Sequence, residues 1–291
     1  MSMFINTNVG AINAHRNLGM NNTAMSKTME KLSSGFRINR AADDAAGLAI
    51  SEKMRFQING MNQAMRNAQD GISLIQTAEG ALTEVHSMLQ RLNTLANQSA
   101  TGTYDDKDRA NIQKEVDALV EEIDNIAKST NFNGIQLLGD AGAGTGATKM
   151  GSGVSFQIGV GKDNTLTAGL EKMDAETLKL KTAAAGSAPA ANISLGSASD
   201  AKDAIATIEK AINTVSEQRA AFGAVQNRLE HTINNLGVTS ENLSASESRI
   251  RNADMAKEMT DFTRNQILVQ AGTSMLAQAN SAPQNVLKLL G

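Results

Sequence analysis

The chain has 291 residues with a formal net charge of −3, no Cys, no Trp, one Tyr and fourteen Met. This balance gives no electrostatic footprint for nucleic acid or an anionic membrane, and the lack of Cys excludes disulfides, thiolate metal sites and cysteine nucleophiles. No apolar run approaches the roughly eighteen residues of a spanning helix, so membrane insertion is not expected; a core must come from Ala, Leu, Ile, Val and Met in helix-on-helix seams.

The opening residues Met1 to Thr7 have neither a basic start nor an apolar run, so no cleavable secretory signal is expected. Phe4, Ile5, Val9, Ile12, Leu18, Met20, Met25, Met29 and Leu32 lie on an N-terminal helical segment. It gives way at Arg37 to Ser51, a stretch dense in small and charged residues, to a much longer helix. There Met54, Ile58, Met61, Met65, Ala68, Ile72, Ile75, Ala78, Leu82, Val85, Leu89, Leu92 and Ala96 recur at steps of three and four. That repeat predicts a coiled-coil-like seam roughly 60 Å long, and the extra three-residue step at Ile72, Ile75 and Ala78 reads as a stammer.

A turn at Thr101-Gly102-Thr103 precedes a second helix signalled by Ile112, Val116, Leu119, Ile123 and Ile126, with Thr103, Asp105 and Asp106 as capping oxygens. The helical pattern stops after Asn131-Phe132-Asn133-Gly134. A Gly-, Ala- and Ser-rich loop, about 139 to 155, leads to alternating Val154, Phe156, Ile158 and Val160, a turn at Lys162 to Thr165, and alternating Leu166, Ala168 and Leu170. This predicts one hairpin, which needs the helices to pack on. After a small-residue stretch from Ala183 to Ser199, helical spacing resumes at Ile205, Ile208, Ile212, Val215, Phe222, Val225, Leu229, Ile233 and Leu236. Arg219 and Ser240 stand where apolar residues are expected, and Pro283 is expected to end the helix near Ala282. The fold class is thus mainly α, with long antiparallel helices forming a rod and one small β-hairpin region.

Candidate chemistry is sparse. Asp43 and Asp44 are a carboxylate pair, but adjacent residues on a helix point about 100° apart and no His or nucleophile stands nearby; ion pairs with Arg37 or Arg40 are the expected role. His15, His86 and His231 lie far apart, outside any H-E-x-x-H word. Gly142 to Ala147 nominally fits G-x-G-x-x-A, but more Gly and Ser follow where a helix should open. No catalytic residue, cofactor or metal site is expected.

Several words resemble bacterial flagellin, the flagellar filament subunit: Phe4 to Asn8, Arg37 to Ser51 with its counterpart Ser248 to Ala256, Asn131 to Gly134, Gly223 to Arg228, Gln270 to Ser274, Gln278 to Asn280 and Pro283 to Leu287. The resemblance covers about 1–140 and 197–291, and the short centre makes it a minimal form without large variable outer domains. It implies an inner filament-core domain from 1–44 and 254–291, and an outer rod domain from 45–138 and 199–253. Residues 139–198 then form a short variable region with the hairpin at about 154–170.

The resemblance also implies a secreted protein that self-assembles into a helical homopolymer for motility, exported without a cleavable signal. Implied partners are an export chaperone, with the filament cap and hook-junction proteins. Val286, Leu287, Leu289 and Leu290 are the assembly and chaperone candidates. The family's contact word for the animal flagellin-sensing Toll-like receptor maps to Gln90 to Ser99, making Arg91, Leu95 and Glu115 receptor-contact candidates; Asn93 and Thr94 replace the Arg-Glu pair of strongly sensed members. A hook–filament junction protein or an unrelated coiled-coil scaffold is the alternative.

Overall fold

A computed structural model describes residues 7–139, 153–181 and 192–290, with side chains up to Ser281. Phe4, Ile5, the Gly142 to Ala147 stretch and most of the Ala183 to Ser199 stretch lie outside the described residues, as do the side chains of Val286, Leu287, Leu289 and Leu290. The element order is α1 (Val9–Ser34), α2 (Ala45–Ala100), α3 (Asp106–Ser129), β1 (Asn131–Phe132), β2 (Ile135–Gln136), β3 (Val154–Gln157), β4 (Thr165–Ala168), α4 (Ala198–Arg251) and α5 (Met255–Leu290). The chain divides into two compact units, one of residues 1–59 with 240–291 and one of residues 60–239.

The 60–239 unit has one contiguous apolar core drawn from α2, α3, α4, the β3–β4 hairpin and the segment after it. On α2 the central stripe of buried positions is Met61, Ala64, Ala68, Gly71, Ile75, Ala78, Leu82, Val85, Leu89, Leu92, Ala96 and Ser99, with Leu74 and Leu95 buried beside it. The steps of the stripe alternate three and four without interruption, which corrects the expected stammer. Met65 and Ile72 are only half-buried, because Ala64 and Gly71 hold the centre of the seam; Met54 and Ile58, in the other unit, are half-buried too. Small residues are required there by the hairpin. A Cβ at residue 71 would lie 3.2 Å from the Phe156 ring, and one at residue 60 would lie 2.8 Å from Val160 Cγ2.

The same one-position shift recurs on the partner helices. On α3, Val120 and Ala127 are buried and Leu119 and Ile126 are flanking. On α4 the fully buried run is Ala201, Ala204, Ile208, Ala211, Val215, Gln218, Phe222 and Leu229. Gln218 rather than Arg219 is therefore the polar residue on the seam, and its Nε2 donates to Gly169 O at 2.8 Å. Arg219 faces outward to Glu79 at 3.6 Å.

Hairpin β3–β4 pairs antiparallel, with Val154 opposite Ala168 and Phe156 opposite Leu166. A second, two-residue hairpin, β1–β2, closes on Asn133 and Gly134, at φ 51° and 80°. Asn-Gly between short apolar strands is the residue pair that a tight type I′ turn demands. Beyond the hairpin, polar side chains of α3 hold irregular backbone in place of a sheet. Asp124 accepts from Ala175 N at 2.8 Å and pairs with Lys181 at 3.4 Å. Gln113 donates to Ile193 O and accepts from Leu195 N. These bonds let Met173, Leu178, Leu180 and Leu195 be buried without regular structure.

Arg109 is buried and spans the gap between α2 and α3. Its guanidinium donates to Ser99 O, to Thr101 O and to Tyr104 O. The last turn of α2 carries no basic residue of its own, so Arg109 supplies both donors and positive charge to that carbonyl end. Arg109→Met, which keeps the apolar stem, is expected to destabilise the 60–239 unit by about 1–3 kcal/mol. An unchanged melting temperature by circular dichroism would rule out this capping role.

Candidate assembly surface

In the other unit, α1 and α5 run antiparallel and touch along their length. Asn8 caps α1 by accepting from Ala11 N at 3.0 Å, and Gly35, at φ 74°, ends it with a bond to Lys31 O. A Cβ at Gly272 would stand 3.3 Å from Leu18 Cδ1, so glycine permits close approach midway along the pair. Nearer the α1 C-terminus, Lys31 Nζ lies 3.2 Å from Glu258 Oε1.

The two Arg/Asp-rich words, far apart in sequence, meet in one clasp. Phe36 bridges Asn252, Arg37 N donates to Arg251 O at 2.7 Å, and Ala253 N donates to Gly35 O at 2.9 Å. Arg37 Nη2 also donates to Ile250 O at 2.6 Å. Arg251 lies 4.8 Å above the Phe36 ring centroid and reaches Glu52 at 2.6 Å, combining a cation–π contact with an ion pair. The helix therefore breaks at Asn252–Asp254, inside the expected junction Ser248 to Ala256; Asp254 Oδ1 caps the new helix through Ala256 N and Lys257 N. Pro283 does not end that helix, which continues to Leu290. A proline inside a helix removes one i→i−4 bond and need not stop it where the freed carbonyl has another donor.

Asp43 and Asp44 do not pair with Arg37 or Arg40. Both accept backbone N–H groups that the turn leaves without partners: Asp43 from Asn39 and Arg40, Asp44 from Gly47 at the start of α2. Arg40 pairs with Glu30 at 2.9 Å instead. The Arg40 and Asn39 amides, assisted by Lys27 and Lys31, hold the Asp43 carboxyl below its ordinary 3.8. Whatever this exposed group contributes is fully present above its unfolded value and is lost as pH falls through the lower folded one.

What sets this unit apart is uncovered apolar surface. No residue of α1 is buried. Val9, Ile12, Met20 and Met29 on α1, Ile50 and Phe56 on α2, and Met255, Met259, Ile267, Leu268 and Met275 on α5 are all exposed, Phe56 to 67% and Met275 to 65%. Exposed apolar side chains gathered in one unit point to an interaction surface.

The receptor-contact candidates lie in the 60–239 unit. Arg91 and Glu115 are exposed and paired at 2.7 Å across α2 and α3. Leu95, the third candidate, is buried next to Ala96. Among the described residues no helix is long and apolar enough to cross a membrane.

Residues 5–143 match the bacterial flagellin N-terminal helical region and residues 205–290 the bacterial flagellin C-terminal helical region. The chain is 52% identical to a flagellin of Bacillus subtilis, over 99% of this chain and 100% of that one. It is 50% identical to a flagellar filament 33 kDa core protein of Treponema phagedenis, with the same coverage. The crystal structure of Bacillus cereus flagellin aligns at 30% identity and a TM-score of 0.49, over 62% of this chain and 94% of that one. With both terminal regions matched and full-length relatives at half identity, this chain belongs to the bacterial flagellin family.

Proposed function

We propose that this chain works by polymerising, as the structural subunit of the bacterial flagellar filament. The carrying observation is the terminal helix pair, whose large apolar side chains find no cover within one copy. A closed globular protein has no reason to leave nine such side chains of its described terminal helices in water, with Ile50 and Phe56 of α2 exposed beside them in the same unit, whereas a subunit whose neighbours cover them does. An unrelated scaffold would not share full-length identity with flagellins, and a hook–filament junction role is disfavoured by the same identity. Electron microscopy of the purified, salt-polymerised chain tests the reading. Long filaments are expected; amorphous aggregates or short capped rings would reject it.

The finer reading is that the protein is exported without a cleavable signal and acts extracellularly. An export chaperone shields the C-terminal segment with Val286, Leu287, Leu289 and Leu290, and the growing filament contacts the cap and hook-junction proteins. Catalysis has no part in this role, and it needs no cofactor. We further infer recognition of the soluble monomer by the animal flagellin-sensing Toll-like receptor through Arg91 and Glu115, with Leu95 supporting their helix from below. Arg91→Ala is expected to weaken receptor activation severalfold in a reporter-cell assay while barely moving the melting temperature, since an exposed ion pair contributes only about 0–1 kcal/mol. Undiminished signalling would remove Arg91 from the contact.

A further inference from the structure

We propose that Asn8 and Pro283 together set the axial register of the terminal helices, with Asn8 a positioning residue for assembly. Pro283 lies four residues beyond Ala279 and carries no N–H, so Ala279 O lacks its ordinary helical donor although α5 continues past it. Asn8 Nδ2 donates to that same carbonyl at 2.6 Å. The other end of the same amide, Oδ1, caps α1 through Ala11 N. One side chain thus meets an unpartnered donor on its own helix and an unpartnered acceptor on the other.

The chemistry explains the choice of residue. Asn, Asp and Ser are comparable helix caps, but Asp has no donor and Ser lacks the reach to serve both groups at once. Register follows because neighbouring carbonyls along α5 already hold helical N–H groups. A slip that keeps the same face of α5 toward α1, by three or four residues, would set Asn8 against an occupied carbonyl, and any slip leaves Ala279 O unsatisfied. The Leu18–Gly272 approach, the Lys31–Glu258 pair and the Gly35–Ala253 bond lie further along the same antiparallel alignment. The amide therefore locks the distal end of a pairing whose other end is the clasp.

This rests on the filament reading, since an unsatisfied carbonyl matters most once neighbouring subunits exclude water from the pair. The test is a double-mutant cycle on the full-length chain, with the critical concentration for polymerisation measured by sedimentation. Asn8→Ser keeps a cap and removes the long donor; it is expected to raise the critical concentration about tenfold, the cost of a stranded acceptor. Pro283→Ala returns an N–H to Ala279 O, so adding Asn8→Ser to it should change the value by less than about twofold. Equal effects of Asn8→Ser in both backgrounds, or none in either, overturn the proposal while leaving the filament reading intact. A wild-type chain that forms no filament overturns both.

Discussion

Leu89→Ala is expected to lower the unfolding free energy of the 60–239 unit by about 2–5 kcal/mol. Leu89 is fully buried on the α2 seam, with Val85 and Leu92 one step to either side, also fully buried. Truncation removes three carbons' worth of transfer energy and leaves a cavity that long packed helices close only by bending. Against a domain stability of about 5–15 kcal/mol, that is a large share. Urea unfolding of the monomer should show a lower midpoint with an unchanged slope, the signature of a stability change without a change in the exposed surface. Asn93→Ala, four residues on and off the seam, should fall within about 0.5 kcal/mol of the parent. Filaments of Leu89→Ala should weaken only as a consequence of the softer subunit. A midpoint indistinguishable from the parent would mean that Leu89 does not carry the seam.

The long seams were legible because a three-four repeat of Leu, Ile, Val and Met, held over many turns, matches the period of a packed helix face and of no strand or loop. Their exact faces were not. Ala64, Gly71, Ala127, Ala204 and Ala211 are buried, Gly71 under the hairpin's Phe156 ring, and a small residue announces its burial only when its neighbour is known. Met65, Ile72, Leu119, Ile126, Ile205 and Ile212 pull the inferred face one position aside, since bulk is visible in a sequence and proximity is not. The same blindness hid Arg109, whose role depends on where α2 ends relative to α3. The break at Asn252 was legible as an Arg/Asp-rich word with a counterpart at Arg37 to Ser51; what was not legible is that the contacts run through Gly35 to Arg37, at the edge of that word. Pro283 misled for a related reason: a helix breaker is judged by local backbone rules, while the donor that compensates it comes from Asn8, at the other end of the chain.

Removing residues 283–291 is expected to abolish polymerisation while leaving the 60–239 unit folded and its melting unchanged. Helices are marginal in water unless a face is packed, and α1 has no buried residue to pack it. In dilute monomer, amides from Val9 to Ser34 should therefore exchange far faster than those from Met61 to Ala96, whose seam is fully covered. We infer that neighbouring subunits supply the missing cover and order both terminal helices on assembly. Val286, Leu287, Leu289 and Leu290 lie at the end of α5. Deleting them removes apolar area from the interface and nothing from the 60–239 core, so assembly and folding separate cleanly in this variant. Circular dichroism melting reports the fold, sedimentation reports the polymer, and exchange reports the order of the termini. Normal filaments from the truncated chain would show that the last turns of α5 are dispensable. Slow exchange across α1 in the monomer would show instead that the pair is folded before it assembles, in which case the exposed methionines and isoleucines meet neighbours as a preformed surface and the ordering step disappears.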